Sequence, residues 1–383
     1  MRRLWTLPGR AAAGGLALGV LLAAFAVVAV SASATNSISS GSSLQGDADA
    51  LVGTGVPGVV VFSRRGGRVV RVASGLANVR AGLPMQAVDR FRAGSLTKTY
   101  VATVVLQLAG EGKLSLDDTV ERWLPGLVPG GDKITIRQLL NHSSGVPEFD
   151  QDPRVLKPYL AGNLHYHWSP QALVRIALSH KRPFAPGARY SYSNTDYLLV
   201  GLIIEAATGR SLAGELAQRI FLPLNLKMTS FQMRPGLVAP YAHGYFVFDK
   251  PPATDISGLS PYAWAAGAIV ANAADIATFY RALLRGKLLH AKELREMTTT
   301  LAEGSHTDLP GSRYGLGIES LPLPCGRAWG HGGNFPGYLA YTLTSRDGNR
   351  QAVVLLNEDP SSLPKTFGPA FFKLLQNAYC NPA

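Results

Sequence analysis

Cysteines and charged residues are scarce in this 383-residue chain. It has two cysteines and 16% charged residues, whereas 46% of its residues are hydrophobic, and no internal repeat is visible. That composition excludes a disordered chain and indicates a globular protein with a large core. No basic segment interleaved with aromatic residues is present, so we expect no nucleic-acid partner.

Acidic residues are also in short supply, since 25 Asp and Glu stand against 37 Lys and Arg, for a net charge of +12. Three of the arginines lie in the first 34 residues, which hold no acid, so the rest of the chain carries +9. A basic surface suits an anionic wall polymer or a membrane. Because lysines and arginines are spread along the sequence and not clustered, we interpret the charge as a solubility feature.

No metal site and no cofactor is predicted. His165 and His167 alternate as two ligands on one face of a strand would, but no third ligand is evident. His142 falls in a predicted turn, and the remaining histidines apart from His331 have no recurrent spacing with acids.

The N-terminus predicts export. Three arginines in the first ten residues precede an apolar run, residues 11–30, and Ala32-Ser33-Ala34 offers a cleavage site. Residues 1–34 are therefore interpreted as a signal peptide, with an uncleaved membrane anchor as the alternative because the run is long enough to span a bilayer. Residues 35–50 are rich in Ser, Gly and Asp and predict a flexible linker. In either case we expect the body of the protein outside the cytoplasm, secreted or held at the wall or membrane.

Cys325 and Cys380 form an even pair, which in an exported chain indicates one disulfide. Two free thiols are the alternative. We predict that the disulfide ties the C-terminal helix to a sheet.

Hydrophobic periodicity predicts an α/β (α+β) fold: an antiparallel sheet built from both ends of the chain, flanked by helices, with a mostly helical inserted subdomain at about 116–254 in a domain spanning 51–383. Asp347-Gly348-Asn349 predicts a tight hairpin turn between two of the strands. The expected strands are Val56–Phe62, Arg68–Ala73, Tyr314–Glu319, Ala328–His331, Leu339–Ser345 and Gln351–Asn357, and the main expected helices begin at Ser95, Thr135, Pro170, Asn194, Ala273 and Phe367.

The stretch Arg92 to Tyr100 is the first candidate for chemistry. Ser95 is followed by an apolar face at helical spacing, so Ser95 opens a helix and Lys98 lies one turn further, on the same side. A lysine whose pKa is lowered by burial can take the proton of a serine hydroxyl and make it a nucleophile. Taken alone, the pattern favours a serine helix cap followed by a solvated lysine, so partners elsewhere in the chain decide.

Two further groups supply partners. Tyr192 and Asn194, in Tyr190-Ser191-Tyr192-Ser193-Asn194, lie where a loop enters an apolar helix, with Asn194 also a good helix cap. Tyr192 can transfer a proton if nearby Lys lowers its pKa, and the Asn194 amide can bond to Lys98 and a substrate carbonyl. His331-Gly332-Gly333-Asn334 follows a strand and suits a proton donor beside an oxyanion site; a Gly-rich turn with a structural histidine is the alternative.

In this order, S-x-x-K, Y-x-N and H-x-G, the chain resembles the penicillin-recognising serine hydrolases, the group of class C β-lactamases and secreted actinomycete D-Ala-D-Ala carboxypeptidases. The stretch from about Pro57 to Cys380 is covered, and Leu139 to Gly145, Pro186-Gly187 and Tyr314 to Gly317 support it. The resemblance implies the site roles that follow: Ser95 as acylated nucleophile, Lys98 as proton-transfer partner, Tyr192 as general base and then acid, Asn194, His331, Gly332 and Gly333 as substrate-binding residues, and the backbone N–H groups of Ser95 and Asn334 as oxyanion hole.

The resemblance implies an acyl-enzyme hydrolase of D-amino-acid peptides, most of all a D-Ala-D-Ala carboxypeptidase-like enzyme. Its partner would be a peptide or small acyl substrate, with peptidoglycan stem peptides as candidates, and a membrane only if the N-terminal segment is uncleaved. The chain departs from the pattern at Gly332, where β-lactamases have a hydroxyl, and near Glu319, where related carboxypeptidases have basic residues. A family esterase, a D-amino-acid amidase or β-lactamase, and a catalytically silent wall-binding protein are the alternatives.

Overall fold

A computed structural model describes residues 43–247, 252–302, 311–360 and 363–381. The predicted signal peptide lies outside these residues, as does the predicted linker up to residue 42. From Leu44 the linker prediction is wrong, because Leu44–Val52 is a helix with Leu44, Ala48 and Leu51 buried against the domain. Its N-cap is Ser43, whose side chain accepts a hydrogen bond from the N–H of Gly46.

The strands are numbered in chain order. They are β1 (Gly58–Arg65), β2 (Arg68–Asn78), β3 (Leu83–Pro84), β4 (Phe91–Arg92), β5 (Ser230–Phe231), β6 (Tyr245–Phe246), β7 (Thr254–Asp255), β8 (Ile269–Ala271), β9 (Leu301–Ala302), β10 (Arg313–Tyr314), β11 (Glu319–Leu323), β12 (Gly326–Phe335), β13 (Tyr338–Thr344) and β14 (Arg350–Leu356).

The helices are numbered in the same way. They are α1 (Leu44–Val52), α2 (Thr97–Gly110), α3 (Val120–Trp123), α4 (Ile136–Leu140), α5 (Pro153–Leu160), α6 (Pro170–Leu178), α7 (Asn194–Thr208), α8 (Leu212–Leu216), α9 (Ala273–Leu284), α10 (Ala291–Thr298) and α11 (Phe367–Cys380).

One antiparallel sheet joins the two ends of the chain, which confirms the predicted fold class. Its strand order is β3-β2-β1-β14-β13-β12-β11-β10-β9, with Val59 of β1 opposite Leu356 of β14. Alternate residues of a strand face opposite sides. Val59 and Val61 therefore pack with α1 and α11 on one side, and Val60 and Phe62 join the larger core with α2 and α9 on the other.

Helices α3 to α8 follow α2 in the chain and precede β8, as predicted for the inserted segment. α6 begins after Ser169, whose side chain caps the N–H of Ala172, and α7 ends at Gly209 in the left-handed conformation that glycine favours. α2 packs against α7 and against the sheet side of the core, so it lies between the two parts. The domain boundaries themselves stay a prediction.

Two local predictions are wrong. Ser193, and not Asn194, is the N-cap of α7, and Asn194 is its first helical residue. The expected strand Tyr314–Glu319 is interrupted, because Gly317 has a positive φ of 71° and the chain turns between β10 and β11. A turn there lets the Gly317 carbonyl accept a hydrogen bond from Thr99 Oγ1 of α2 at 2.7 Å.

The basic residues are not spread evenly, contrary to the sequence interpretation. Strand pairing sets Arg65 directly opposite both Arg68 and Arg350, which are remote from each other in sequence. The approach of Arg350 is invisible in the sequence because it depends on which strands become neighbours.

The predicted disulfide between Cys325 and Cys380 is present. It links the β11–β12 turn to the last residue of α11, so the C-terminal helix is tied to the sheet as predicted. The two cysteines are 55 residues apart in the chain.

Replacing both cysteines, Cys325→Ser with Cys380→Ser, should lower the free energy of unfolding by about 2–4 kcal/mol, because closing a loop of this length restricts the unfolded chain. Urea unfolding followed by fluorescence measures the change. Ester hydrolysis at low denaturant should be unaffected, since the disulfide lies at the far end of β12 from Ser95. An unchanged unfolding midpoint would contradict a stabilising role.

Within the described residues, no single helix combines the length and the apolar character that a membrane crossing needs. Only α7 taken together with Leu212–Phe221 meets that test, by length and composition alone, and the two segments are bent by 82°.

Candidate active site

Ser95 and Lys98 meet as the helical spacing predicts. Ser95 lies in a single 3₁₀ turn, Gly94–Leu96, that continues into α2, and Lys98 lies in the first turn of α2. Lys98 Nζ is 2.9 Å from Ser95 Oγ. Ser95 is half-buried, so its hydroxyl stays accessible, while Lys98 is fully buried beneath it.

Two oxygens fix the Lys98 amine. Its Nζ donates to Asn194 Oδ1 at 2.7 Å and to the carbonyl oxygen of Ala266 at 3.1 Å. A neutral amine has two N–H donors, so these two bonds leave its lone pair for Ser95 Oγ. Burial lowers the pKa of Lys98 to about 7, against the opposing effect of nearby carboxylates. Lys98 is therefore placed and tuned to accept a proton near neutral pH.

Tyr192 lies beside both residues. Its ring centroid is 4.7 Å from Lys98 Nζ. Burial raises the pKa of Tyr192 well above its usual value, and a hydrogen bond with the Ser95 side chain only partly opposes this. The sequence hypothesis that Lys98 lowers the pKa of Tyr192 is therefore not supported, and a neutral phenol, which donates a proton, is the expected form.

Asn194 is in contact with Lys98 as predicted, but its amide is already engaged at both ends. Nδ2 donates to Asp150 Oδ2 at 2.9 Å, and Oδ1 accepts from Lys98. The second N–H of Nδ2 remains for a substrate carbonyl, so that contact stays a prediction. Asn194 also connects the amine of Lys98 to a carboxyl group.

An acidic pair beside the site escaped the sequence analysis. Glu148 and Asp150 lie in the loop before α5, and Glu148 accepts from the backbone N–H of Asn194. Burial raises the pKa of Asp150 to about 6 and that of Glu148 well above its usual range. Oδ1 of Asp150 has no hydrogen-bond partner among the described residues. Two acids at alternate positions just after Asn141 to Gly145 were the available signal.

His331 is buried in β12 and has no nitrogen left for a substrate. Tyr314 Oη lies 2.8 Å from Nε2, and Nδ1 donates to the carbonyl of Gly332. Burial lowers the pKa of His331 to about 3, so the imidazole is neutral. A side chain at Gly332 would point to the Tyr341 ring. The geometry thus gives His331 a supporting position, 6.4 Å from the Tyr192 ring, and does not support its predicted contact with substrate.

The two N–H groups predicted for the oxyanion hole come from chain segments in close contact. A Cβ on Gly94 would lie 2.5 Å from the Asn334 carbonyl oxygen, and one on Gly333 would lie 3.1 Å from Ser95 N. Gly94 also has a positive φ of 52°. Glycine is required at both positions because a side chain would separate β12 from the Ser95 turn.

His142 lies in a turn as predicted, but its contacts with the site were not foreseen from the sequence. Its ring is fully buried, with its centroid 4.3 Å from that of Tyr192. Nδ1 lies 3.1 Å from Asp196 Oδ2, and Ser144 Oγ donates to the other oxygen of that carboxyl group. Burial lowers the pKa of His142 and raises that of Asp196, so the pair supports Tyr192 from below without a net ion pair.

Arg92 is a buried cation behind the predicted oxyanion hole. Its guanidinium lies 4.9 Å from the ring centroid of Phe335, the residue after Asn334, and Nη2 donates to the Leu259 carbonyl at 2.9 Å. Nε and Nη1 have no partner among the described residues, and burial lowers the pKa. A buried arginine with two unpartnered nitrogens, three residues before Ser95, was not foreseen from the sequence.

Comparison with known proteins agrees with this geometry. A family model described as Beta-lactamase matches residues 44–369. The solved structure of a D-stereospecific amidohydrolase from Streptomyces sp. is 38% identical, with a TM-score of 0.80 over 89% of this chain and 98% of that one. Penicillin-binding protein 4* of Bacillus subtilis (strain 168) is 28% identical over 79% of this chain and 68% of its own length. A putative D-alanyl-D-alanine carboxypeptidase of Escherichia coli O157:H7 is 27% identical over 81% and 80%.

Proposed function

The chain belongs to the beta-lactamase family and is a serine hydrolase of that family, and from this premise we propose that it hydrolyses amides and peptides of D-amino acids that have a free amino group. Ser95 attacks the carbonyl carbon and forms an acyl-enzyme, which water then hydrolyses. The proposed substrate class rests on the charge of the site.

Carboxyl groups surround the reacting groups. Those of Glu148, Asp150, Asp196 and Glu319 all act to raise the pKa of Lys98, and the Glu148–Asp150 pair holds about one negative charge. His331, at the position that a cationic lysine occupies in many β-lactamases, is neutral. Such a site attracts an ammonium group and repels the free carboxylate of a D-Ala-D-Ala terminus. This favours an amidase over the carboxypeptidase-like activity expected from sequence.

Asp150 is the residue best placed to hold that ammonium. It is bonded through Oδ2 to Asn194, which bonds to Lys98, so it lies two side chains from the nucleophile. Glu148 also bonds to this carboxyl group, so the pair shares a proton and holds about one negative charge. The D-stereospecific amidohydrolase similarity supports the same substrate class.

The proposed division of work follows from the pKa directions. Neutral Lys98 removes the Ser95 proton, and neutral Tyr192 protonates the leaving amine. The backbone N–H groups of Ser95 and Asn334 stabilise the oxyanion. We also propose that the protein acts outside the cytoplasm, which detection of activity in a culture supernatant or on intact cells would test.

Asp150→Asn should reduce kcat/KM for a D-amino-acid amide by about 10- to 100-fold, the loss expected when a buried charged hydrogen bond to substrate is removed. The same variant should hydrolyse the N-acetylated amide about as well as the parent does. The parent itself should prefer the free amine to the N-acetyl derivative and the D to the L enantiomer. Asp132→Asn, an exposed acid in the same subdomain, is the control and should change neither rate.

Three results would contradict the proposal. They are equal rates on free and N-acetylated amides, equal rates on D and L amides, and faster release of D-alanine from an N-acylated D-Ala-D-Ala peptide than of ammonia from a D-amino-acid amide. Faster release of D-alanine would support the carboxypeptidase hypothesis from the sequence instead.

A further inference from the structure

Several turns lie close together at one end of the large sheet. The N–H of Gly66 in the β1–β2 turn donates to the carbonyl of Asn349 in the β13–β14 turn at 2.7 Å. A Cβ on Gly348 would lie 2.9 Å from the Arg281 side chain, so the C-terminal end of α9 is there too. Arg350 Nη1 donates to the Cys325 carbonyl of the β11–β12 turn at 2.9 Å. We call this region the arginine end.

Like charges face one another there on both sides of the sheet. Arg65 is directly opposite Arg68 and Arg350, an arrangement that costs stability in a sheet. On the other side, the pKa of Arg64 is lowered by burial and then by the positive charges of Arg281 and Arg71. The fold therefore holds arginines together against their mutual repulsion.

Carboxylates that would neutralise these arginines are missing from the described part of the chain. Arg122, Arg137 and Arg219, elsewhere on the surface, each have an ion pair, whereas no arginine of the arginine end is within ion-pair distance of a described carboxylate. The only acid in its turns is Asp347, which accepts hydrogen bonds from Ser345 and Asn349 within the β13–β14 turn. The positive charge is left for an external anion.

Aromatic rings restrain several of these guanidinium groups. Those of Arg64 and Arg71 lie 5.6 and 5.5 Å from the ring centroid of Phe62, and that of Arg346 lies 5.7 Å from Trp329. Stacking on an aromatic ring orients the planar fork of arginine, which matches the oxygens of a phosphate group. Less side-chain freedom is then lost when an anion binds.

We propose that the arginine end docks the protein on an anionic phospholipid membrane, through the phosphate groups of the lipids. The charges are presented by the tips of adjacent turns, a broad end that can meet a flat surface at several points. A membrane is favoured over a soluble polyanion because a flat surface can meet several turns at once, and because an uncleaved N-terminal anchor, the alternative to the predicted signal peptide, would bring the chain to a membrane. Basic residues close to such a surface each add to binding.

The position of the active site fits this orientation. β12 begins at Gly326 in the arginine end and reaches Ser95 at Gly333, a distance of about 23 Å at the rise of a strand. A protein docked by the arginine end therefore keeps the Ser95 opening away from the lipid, where water-soluble substrate arrives. Docking and hydrolysis use separate residues.

The test is cosedimentation of the full chain with phosphatidylcholine vesicles, with and without phosphatidylglycerol, at low and raised salt. Four exposed arginines are replaced together in one variant: Arg65→Gln, Arg68→Gln, Arg285→Gln and Arg346→Gln. A matched variant loses the same charge from the inserted subdomain: Arg175→Gln, Lys181→Gln, Lys227→Gln and Arg234→Gln.

We expect salt-sensitive binding to the anionic vesicles only. The first variant should bind about 100-fold more weakly, and the matched variant should bind within a few-fold of the parent. Both should hydrolyse an acyl ester at the parental rate. Equal weakening of the two variants, or equal binding to neutral and anionic vesicles, would overturn the proposal, because net charge or the N-terminal segment would then be responsible. Polyphosphate could also release the protein from the vesicles. If it does so at a phosphate concentration below that of the anionic lipid, the preferred ligand is a soluble polyanion instead.

Discussion

A Ser95→Ala variant is expected to lose all covalent labelling by a fluorophosphonate and to fall about 10⁵- to 10⁶-fold in kcat on an amide substrate, as removal of a serine nucleophile does in a comparable hydrolase. The reason is local. Ser95 Oγ is half-buried at the start of α2, is 2.9 Å from Lys98 Nζ, and bonds to Tyr192. Alanine leaves Lys98 without a proton to accept and the substrate without an attacking atom.

The variant should remain folded, because the hydroxyl contributes no packing to the core beneath it. Labelling is read by intact-protein mass spectrometry and folding by thermal unfolding. Ser191→Ala, which removes a half-buried hydroxyl next to Tyr192, is the control and should label fully. Undiminished labelling of Ser95→Ala would remove Ser95 from the reaction.

The local part of this site could be predicted because short-range geometry determines it. Three residues along a helix bring Ser95 and Lys98 together whatever the rest of the fold does. The apolar helix α7 and the alternating strands β12 to β14 also followed from periodicity. Their pairing placed Gly333 and Asn334 against the Ser95 turn, in agreement with the resemblance to penicillin-recognising enzymes.

The parts that could not be predicted depend on tertiary contacts. Glu148 and Asp150 lie in an irregular loop, and only packing against α7 brings them to Asn194. His142 adopts a positive φ of 59°, unusual for a residue other than glycine, and is buried against Tyr192; the sequence signals neither feature. The bond from Asn194 to Asp150 was not foreseen for the same reason.

The pH dependence and the Tyr192→Phe variant together test how Lys98 and Tyr192 divide the proton transfers. The resemblance implies Tyr192 as general base. Burial raises the pKa of Tyr192 well above its usual value and lowers that of Lys98 to about 7, which favours the amine as base and the phenol as acid. Protonated Lys98 cannot accept the Ser95 proton, so activity should be low below pH 7 and rise through a midpoint near 7.

A nitrophenyl ester without an amino group is the right substrate for this profile, since it has no ionising group of its own and no ammonium for Asp150 to bind. Tyr192→Phe should retain a midpoint near 7, because Lys98 still titrates. Loss of the midpoint in this variant would assign the titration to Tyr192.

The leaving group separates the two roles. An amide leaves as a basic amine and needs a proton from Tyr192, whereas nitrophenolate leaves without one. Tyr192→Phe should therefore slow amide hydrolysis by about 10²- to 10⁴-fold, the usual contribution of a general acid, and ester hydrolysis by far less. Tyr190→Phe, which removes a neighbouring phenol, should leave the ratio of the two rates unchanged. Equal losses on amide and ester would refute the division of roles, because Tyr192 would then be needed to activate Ser95 whatever group departs.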